Sequence, residues 1–348
     1  MKTFDIIVLG GGITGISIAA KLARKKNANV ALIEKEQVGN NGATKASGGF
    51  IRAFDFNLTH VQLTLSSLEE HSIREKVMNF KRNGHLFIMK KKDFSKSMPT
   101  LELFMKYNYP FQVLDNKEAK ILANEAIQIL PNEVAIWEPS AGYAKPQVMA
   151  HKLKNEFLDD GGVLFENHII ENFTEKKEGI TSIITNKGLF TAKKIVICLG
   201  AWNRFFLKDI ECENKLIELV HVKTRLSLNK DRKCFNDNNT GMYSKPISKE
   251  IQLVGLPQDI YNINPDENNF FGNEFYQNNV AIFKSRISDY DHSKIVKKIS
   301  SADSYTKNKT PDIEKIQQNW TLVNGLNGSG FKMYPAISEY VCNVIIKK

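Results

Sequence analysis

Residues Phe4 to Leu9 form a short β-branched apolar run that ends in Gly10-x-Gly12-x-x-Gly15. Such a run reads as a parallel strand buried on both faces. Ile13 to Lys25 follows with Ile16, Ala19, Ala20 and Ala23 on one helical face, and Asn29 to Glu34 reads as a second strand. Strand, glycine turn, helix and strand within about thirty residues make a βαβ unit. The first glycine permits the tight turn, the second lets backbone approach a pyrophosphate, and the third lets helix pack on strand. The helix start, at Ile13 and Thr14, offers unpaired N–H groups and a positive dipole end. Glu34 ends the second strand 19 residues after Gly15, where a carboxylate can accept from ribose hydroxyls, with Lys35 beside it. The expectation is dinucleotide binding through Gly10, Gly12, Ile13, Thr14, Gly15, Glu34 and Lys35. A mere tight turn would have no need of Glu34.

The rest of the chain suggests a nucleotide domain split by a β-rich one. Gly39 to Gly49 is a small-residue loop; Leu58 to Phe80 and most of Glu102 to Leu130 read as helical; Pro146 to Asp160 is a further helix. Val163 to Phe165, Ile180 to Thr185, Ile195 to Leu199 and His85 to Lys90 read as strands. Residues 216–228, 242–256 and 280–286 alternate as an antiparallel sheet does, residues 262–269 form a polar loop, and Pro335 to Ile346 closes the chain as a helix.

Charge and cysteine content narrow the function classes. The net charge of +10 is spread along 348 residues, and its longest run is Lys90-Lys91-Lys92. That pattern argues against nucleic-acid binding. No apolar stretch reaches the roughly 18 to 20 residues of a membrane span, and Asp5 and the glycines break any signal-peptide pattern. Cys198, Cys212, Cys234 and Cys342 show no metal-ligand spacing, so a reducing cytoplasm is the expected setting.

Three further segments carry a resemblance. Gly42-Ala43-Thr44-Lys45-Ala46-Ser47-Gly48-Gly49-Phe50-Ile51-Arg52, the strand Ile195 to Leu199 running into Gly200-Ala201-Trp202, and Asn324 to Ala336 with Gly328-Ser329-Gly330-Phe331-Lys332 stand in order along the chain. Together with the glycine turn they resemble the family of D-amino-acid oxidase, glycine oxidase and monomeric sarcosine oxidase. The resemblance implies an α/β (α+β overall) fold: a Rossmann-like FAD-binding domain (1–80, 138–205 and 300–348) interleaved with a smaller substrate domain built on an antiparallel sheet (81–137 and 206–299). It implies FAD, held non-covalently, because no cysteine stands where sarcosine oxidases carry a covalent one. It adds Gly42, Ala43, Thr44, Ser47, Gly48, Gly49, Ile170, Gly200, Trp202, Gly328, Ser329, Gly330, Phe331 and Lys332 to the flavin site. The Gly328–Gly330 turn can also aim N–H groups at the charge of a reduced flavin.

The implied activity is oxidation of a small amine or amino acid by hydride transfer to flavin N5, giving an imine, with oxygen a possible acceptor. Arg52 and Lys332 match carboxylate-binding residues of sarcosine-oxidase-like members; Arg forks onto a carboxylate and Lys adds a point charge. Tyr243 falls on the strand roofing the flavin, as a hydrogen-bond donor or an ordinary sheet tyrosine. Lys307 stands where glycine-oxidase-like members carry an arginine. His221 reads as a packed or surface histidine, and Gln252 occupies the strand that holds an oxygen-activating lysine in sarcosine oxidases. Two alternatives keep the flavin: a dehydrogenase or maturation enzyme for a protein-, peptide- or carrier-held amine with a non-oxygen acceptor, and a non-catalytic flavoprotein partner.

Overall fold

The computed structural model describes residues 1–25, 28–176, 179–224, 232–267, 276–277, 279–287 and 290–346. Its first layer grows from the glycine-turn unit. β1 (Lys2–Leu9) pairs in parallel with β2 (Val30–Ile33), and α1 (Ile13–Arg24) crosses between them. β1 is buried along its length after Asp5, as expected of a central parallel strand. β8 (Val163–Phe165) extends the sheet beyond β2, and β11 (Gly188–Ile197) with β18 (Trp320–Asn324) extends it on the other side. β17 (Asp312–Gln317) is its antiparallel edge, and β9 (Ile170–Glu175) and β10 (Thr181–Thr185) branch off β11.

One face of this sheet is covered by α1, α7 (Pro146–Asp159) and the C-terminal helix Gly330–Ile346. Ile16, Ile18, Leu22, Met149, Phe157, Tyr334 and Val341 meet there in one buried cluster. Truncating a fully buried isoleucine such as Ile16 to alanine costs about 2 to 5 kcal/mol.

The second sheet has eight strands in the order β16-β12-β15-β14-β13-β4-β6-β5. They are β4 (His85–Lys90), β5 (Gln112–Leu114), β6 (Glu133–Glu138), β12 (Glu213–Thr224), β13 (Cys234–Asp237), β14 (Tyr243–Pro246), β15 (Ile251–Gly255) and β16 (Tyr290–Tyr305). It is antiparallel except at β13–β4, which pair in parallel. A two-stranded pair, β3 (Phe50–Ile51) with β7 (Gly142–Tyr143), lies apart from both sheets in the pairing.

Several local expectations are corrected. Val280–Arg286 is a helix rather than a strand; Phe283 and Arg286, three residues apart, form its buried face, and Arg286 pairs there with Glu133 and Asp237. Leu58 to Phe80 is two short helices, α3 (Leu58–Leu65) and α4 (Leu68–Arg74), broken where the Ser67 hydroxyl donates to the Leu63 carbonyl. Glu102 to Leu130 divides into α5 (Met98–Lys106), β5 and α6 (Asn116–Leu122), because Asp115 starts a new helix with a capping box. The strand expected over 216–228 is seen to Thr224, and 225–228 lies outside the described residues, as do 268–269 of the polar loop.

Candidate active site

A cavity of about 750 Å³ runs from the glycine turn to the start of the C-terminal helix. Gly10 takes φ +98°, and a Cβ there would fall 2.5 Å from the Cys198 carbonyl oxygen; one on Gly15 would fall 2.0 Å from that of Gly10. Side chains at either position would push β1, α1 and β11 apart, so the turn closes only with glycine. No side chain within the turn caps α1; Thr44, from α2 (Gly42–Ala46), accepts from the Ile13 N–H at 3.0 Å. The Thr14 hydroxyl lines the cavity, buried and with no hydrogen-bond partner among the described residues.

Glu34 is nearly buried, and both its oxygens are already engaged. Oε2 accepts from the Gly11 N–H at 2.6 Å and Oε1 from that of Glu36 at 2.9 Å. Burial raises its pKa, against the pull of these two N–H groups. Glu34 therefore holds the turn in shape as well as presenting remaining lone pairs to the cavity. Lys35 Nζ lies 3.8 Å over the Trp202 ring; Asp266 joins the two, 2.7 Å from Lys35 and accepting from Trp202 Nε1 at 2.9 Å. All three line the cavity, as do Gly12, Ala43, Ser47, Gly48, Gly49, Ile170 and Gly200. Ser47 accepts from the Gly49 N–H, and Gly42 sits beneath Trp202.

The cavity is also lined by Gly328, Ser329, Gly330, Phe331, Lys332, Arg52 and Tyr243. Lys332 is buried, and Asp55 is its ion-pair partner at 3.3 Å. Burial works to raise the Asp55 pKa, but the Lys332 charge, a His60 hydrogen bond and the Arg52 charge outweigh it and hold the carboxyl well below the usual range. Burial lowers the Lys332 ammonium to about 8, so both partners are charged at neutral pH. The Arg52 guanidinium donates to the Phe54 carbonyl and lies 5.7 Å over the Phe87 ring. Burial pushes Tyr243 up to about 12, so it stays a neutral phenol.

One candidate, Lys307, stands outside the cavity wall, as does His221, which was read as a packed or surface histidine. Lys307 is exposed in the turn after β16, where the Thr306 hydroxyl closes onto the Thr310 carbonyl. His221 lies half-buried in β12; burial and the charges of Lys297 and Lys245 lower it to about 4, leaving it neutral.

The structure adds residues that pattern reading missed. Asp55 is three residues from Arg52 and was visible as an acid in that segment. Glu138, fully buried, accepts from the Ala53 and Phe54 N–H groups at 2.6 and 3.1 Å and from the Tyr109 hydroxyl at 2.9 Å; burial raises its pKa against the Arg52 charge. Asp303 lines the cavity, accepts from the Gly328 and Ser304 N–H groups, and is raised by burial to about 6. Lys245, two residues past Tyr243, donates to the Gly48 carbonyl and is lowered by burial to about 8. Nothing in sequence spacing marked these last three, because the sheets bring them in from distant segments. No cluster of three or more His, Cys, Asp or Glu among the described residues could hold a metal.

Comparison with known proteins supplies the family. The family model described as FAD dependent oxidoreductase matches residues 5–344. A glycerol 3-phosphate dehydrogenase of Caloramator mitchellensis is 29% identical over 57% of this chain and 42% of its own length. A monomeric sarcosine oxidase of Bacillus sp. (strain B-0618) is 24% identical over 74% of this chain and 64% of its own length. The chain thus spans less than two thirds of these relatives. The solved L-proline dehydrogenase from P. horikoshii superposes with a TM-score of 0.88 over 99% of this chain and 94% of that one, at 22% identity, a likeness of fold.

Proposed function

The chain belongs to the FAD-dependent oxidoreductase family, and from that premise we propose that it oxidises a small amine or amino acid at the C–N bond. FAD is its cofactor, and the residues present fit the group. The unpartnered Thr14 hydroxyl and the α1 N-terminus suit the pyrophosphate, Glu34 the ribose, and the start of the C-terminal helix at Gly330 the flavin; the Gly328 and Ser329 N–H groups, expected to face the flavin, are instead taken by Asp303 and the Leu326 carbonyl. The observation that carries the substrate reading is that Arg52 and Lys332 both line the cavity, near enough that the Arg52 charge acts on Lys332 and both act on Asp55.

Bound FAD supplies a two-electron acceptor. Arg52 offers a planar fork, and Lys332 a point charge, to a substrate carboxylate. Fixing that group sets the position of the neighbouring carbon and its nitrogen. Tyr243 keeps its proton and can donate to the same carboxylate. An amine in its neutral form needs no base to take a hydroxyl proton, and no histidine is among the described residues lining the cavity. The imine formed from the substrate then hydrolyses in water.

This reading assigns non-covalent FAD binding to a unit of residues 1–80, 138–205 and 300–348, which also carries Arg52 and Lys332, and makes 81–137 and 206–299 a substrate domain that contributes Tyr243 to the cavity. The four cysteines are all free thiols, which supports a reducing, cytoplasmic setting. No helix among the described residues is long and apolar enough to cross a membrane.

The test is anaerobic mixing of the holoprotein with glycine, sarcosine, proline and D- and L-amino acids. Bleaching of the visible flavin band by one of them is expected. No bleaching by any would sink the small-amine reading and favour a protein- or carrier-held amine.

A further inference from the structure

We propose that Asp55 is a specificity-determining residue, which limits the site to singly charged anions and turns away dianions such as phosphate esters and dicarboxylates. The inference rests on reading the part of the cavity lined by Arg52 and Lys332 as the substrate site.

Arg52 and Lys332 alone would offer two positive charges, a suitable receptor for a dianion. Asp55 changes the count. Its Oδ2 lies 3.3 Å from Lys332 Nζ and lines the same cavity. It is also tied from the loop side: Oδ1 accepts from the Asn57 N–H at 3.1 Å, and Oδ2 from His60 Nδ1 at 3.4 Å. Those bonds oppose a swing of the carboxylate away from Lys332 when an anion arrives. The three groups together carry a charge of +1. Glu138 behind Arg52 and Asp303 on the cavity wall add no positive charge.

A monocarboxylate can take the Arg52 fork and the free N–H groups of Lys332. A second negative charge on the same ligand would stand against Asp55, whose side chain is only partly exposed, and would be repelled by it. Discrimination of this kind comes from a built-in repulsive element rather than from extra attraction. Glycerol 3-phosphate, named in one relative, is an ester of the excluded class.

The test is equilibrium binding of acetate, malonate and inorganic sulfate to the holoprotein at constant ionic strength and neutral pH, read from the shift of the flavin spectrum. Acetate is expected to bind at least tenfold tighter than malonate or sulfate. In Asp55→Asn the ratio of malonate to acetate affinity should rise at least tenfold, whereas Asp55→Glu should keep the original preference. Wild-type protein that binds malonate or sulfate as tightly as acetate overturns the proposal, as does an unchanged ratio in Asp55→Asn. If Asp55→Asn does not fold, the wild-type ratio decides. These ratios need no turnover, so an amine panel that fails to bleach the flavin counts against the proposed reaction and leaves this result standing.

Discussion

The imidazole of His71 donates from Nε2 to the backbone carbonyl of Lys332 at 3.0 Å. The contact exists because the C-terminal helix starts irregularly. Pro335 has no N–H to give the Phe331 carbonyl. The next N–H, of Ala336, donates to the Ser67 hydroxyl at 3.1 Å. The Lys332 carbonyl is thereby freed for His71, and α4 anchors the turn that carries the cavity lysine. His71→Ala would leave a buried carbonyl unpaired and should cost about 1 to 3 kcal/mol in urea unfolding. An unchanged midpoint and slope would remove the anchoring role.

His71 also predicts an acid limb of stability. Burial lowers its pKa from 6.5 to about 4. The unfolded chain therefore binds the proton more readily, and stability rises with pH between those values. The contribution is complete above pH 6.5 and is lost as pH falls toward 4, on the order of 3 kcal/mol in all. In His71→Phe, the slope of unfolding free energy against pH should flatten across that window. An unaltered slope would assign the acid limb to other groups.

Glu34→Ala should weaken FAD binding at least tenfold, about 1.4 kcal/mol or more. Two losses add: an acceptor for the ribose, and the 2.6 Å bond that shapes the turn at Gly11. Titration of apoprotein with FAD, followed by flavin fluorescence, reads it directly. Affinity within a factor of two of wild type would refute the assignment.

The glycine turn was legible because each of its requirements is local: strand, turn, helix and acid all lie within a short span of chain. Thr44 and Trp202 were legible through longer motifs in fixed order. Asp303, Glu138 and Lys245 were not, since their neighbours are set by sheet pairing between segments far apart in sequence. The Val280–Arg286 helix was misread for a related reason. A seven-residue apolar-polar run fits either period, and the tertiary pairing of Arg286 with Glu133 and Asp237 decides it. Lys307 was placed in the site by standing where glycine-oxidase-like members carry an arginine, and the turn after β16 leaves it exposed and off the cavity wall.

Gly255 lies opposite Tyr243 in the β14–β15 register, and a Cβ there would fall 2.1 Å from the tyrosine ring. Gly255→Ala should therefore displace Tyr243 into or away from the cavity. The expected result is weaker acetate binding with FAD affinity nearly unchanged. Equal acetate affinity in the variant would show that Tyr243 does not line the anion site.

Arg52→Met should raise KM for a carboxylate substrate, with a loss of about 2 to 4 kcal/mol in kcat/KM, because a desolvated charge pair is broken. Lys332→Met should act in the same direction and also change the pH profile. The Lys332 ammonium titrates near 8, so wild-type affinity for a carboxylate should fall as pH rises through that value. In Lys332→Met the fall should vanish, leaving one weak, pH-independent affinity set by Arg52. A profile that still breaks at the same pH in the variant would assign the titration to another group, with Lys245 the first to replace, since burial places it at a similar value.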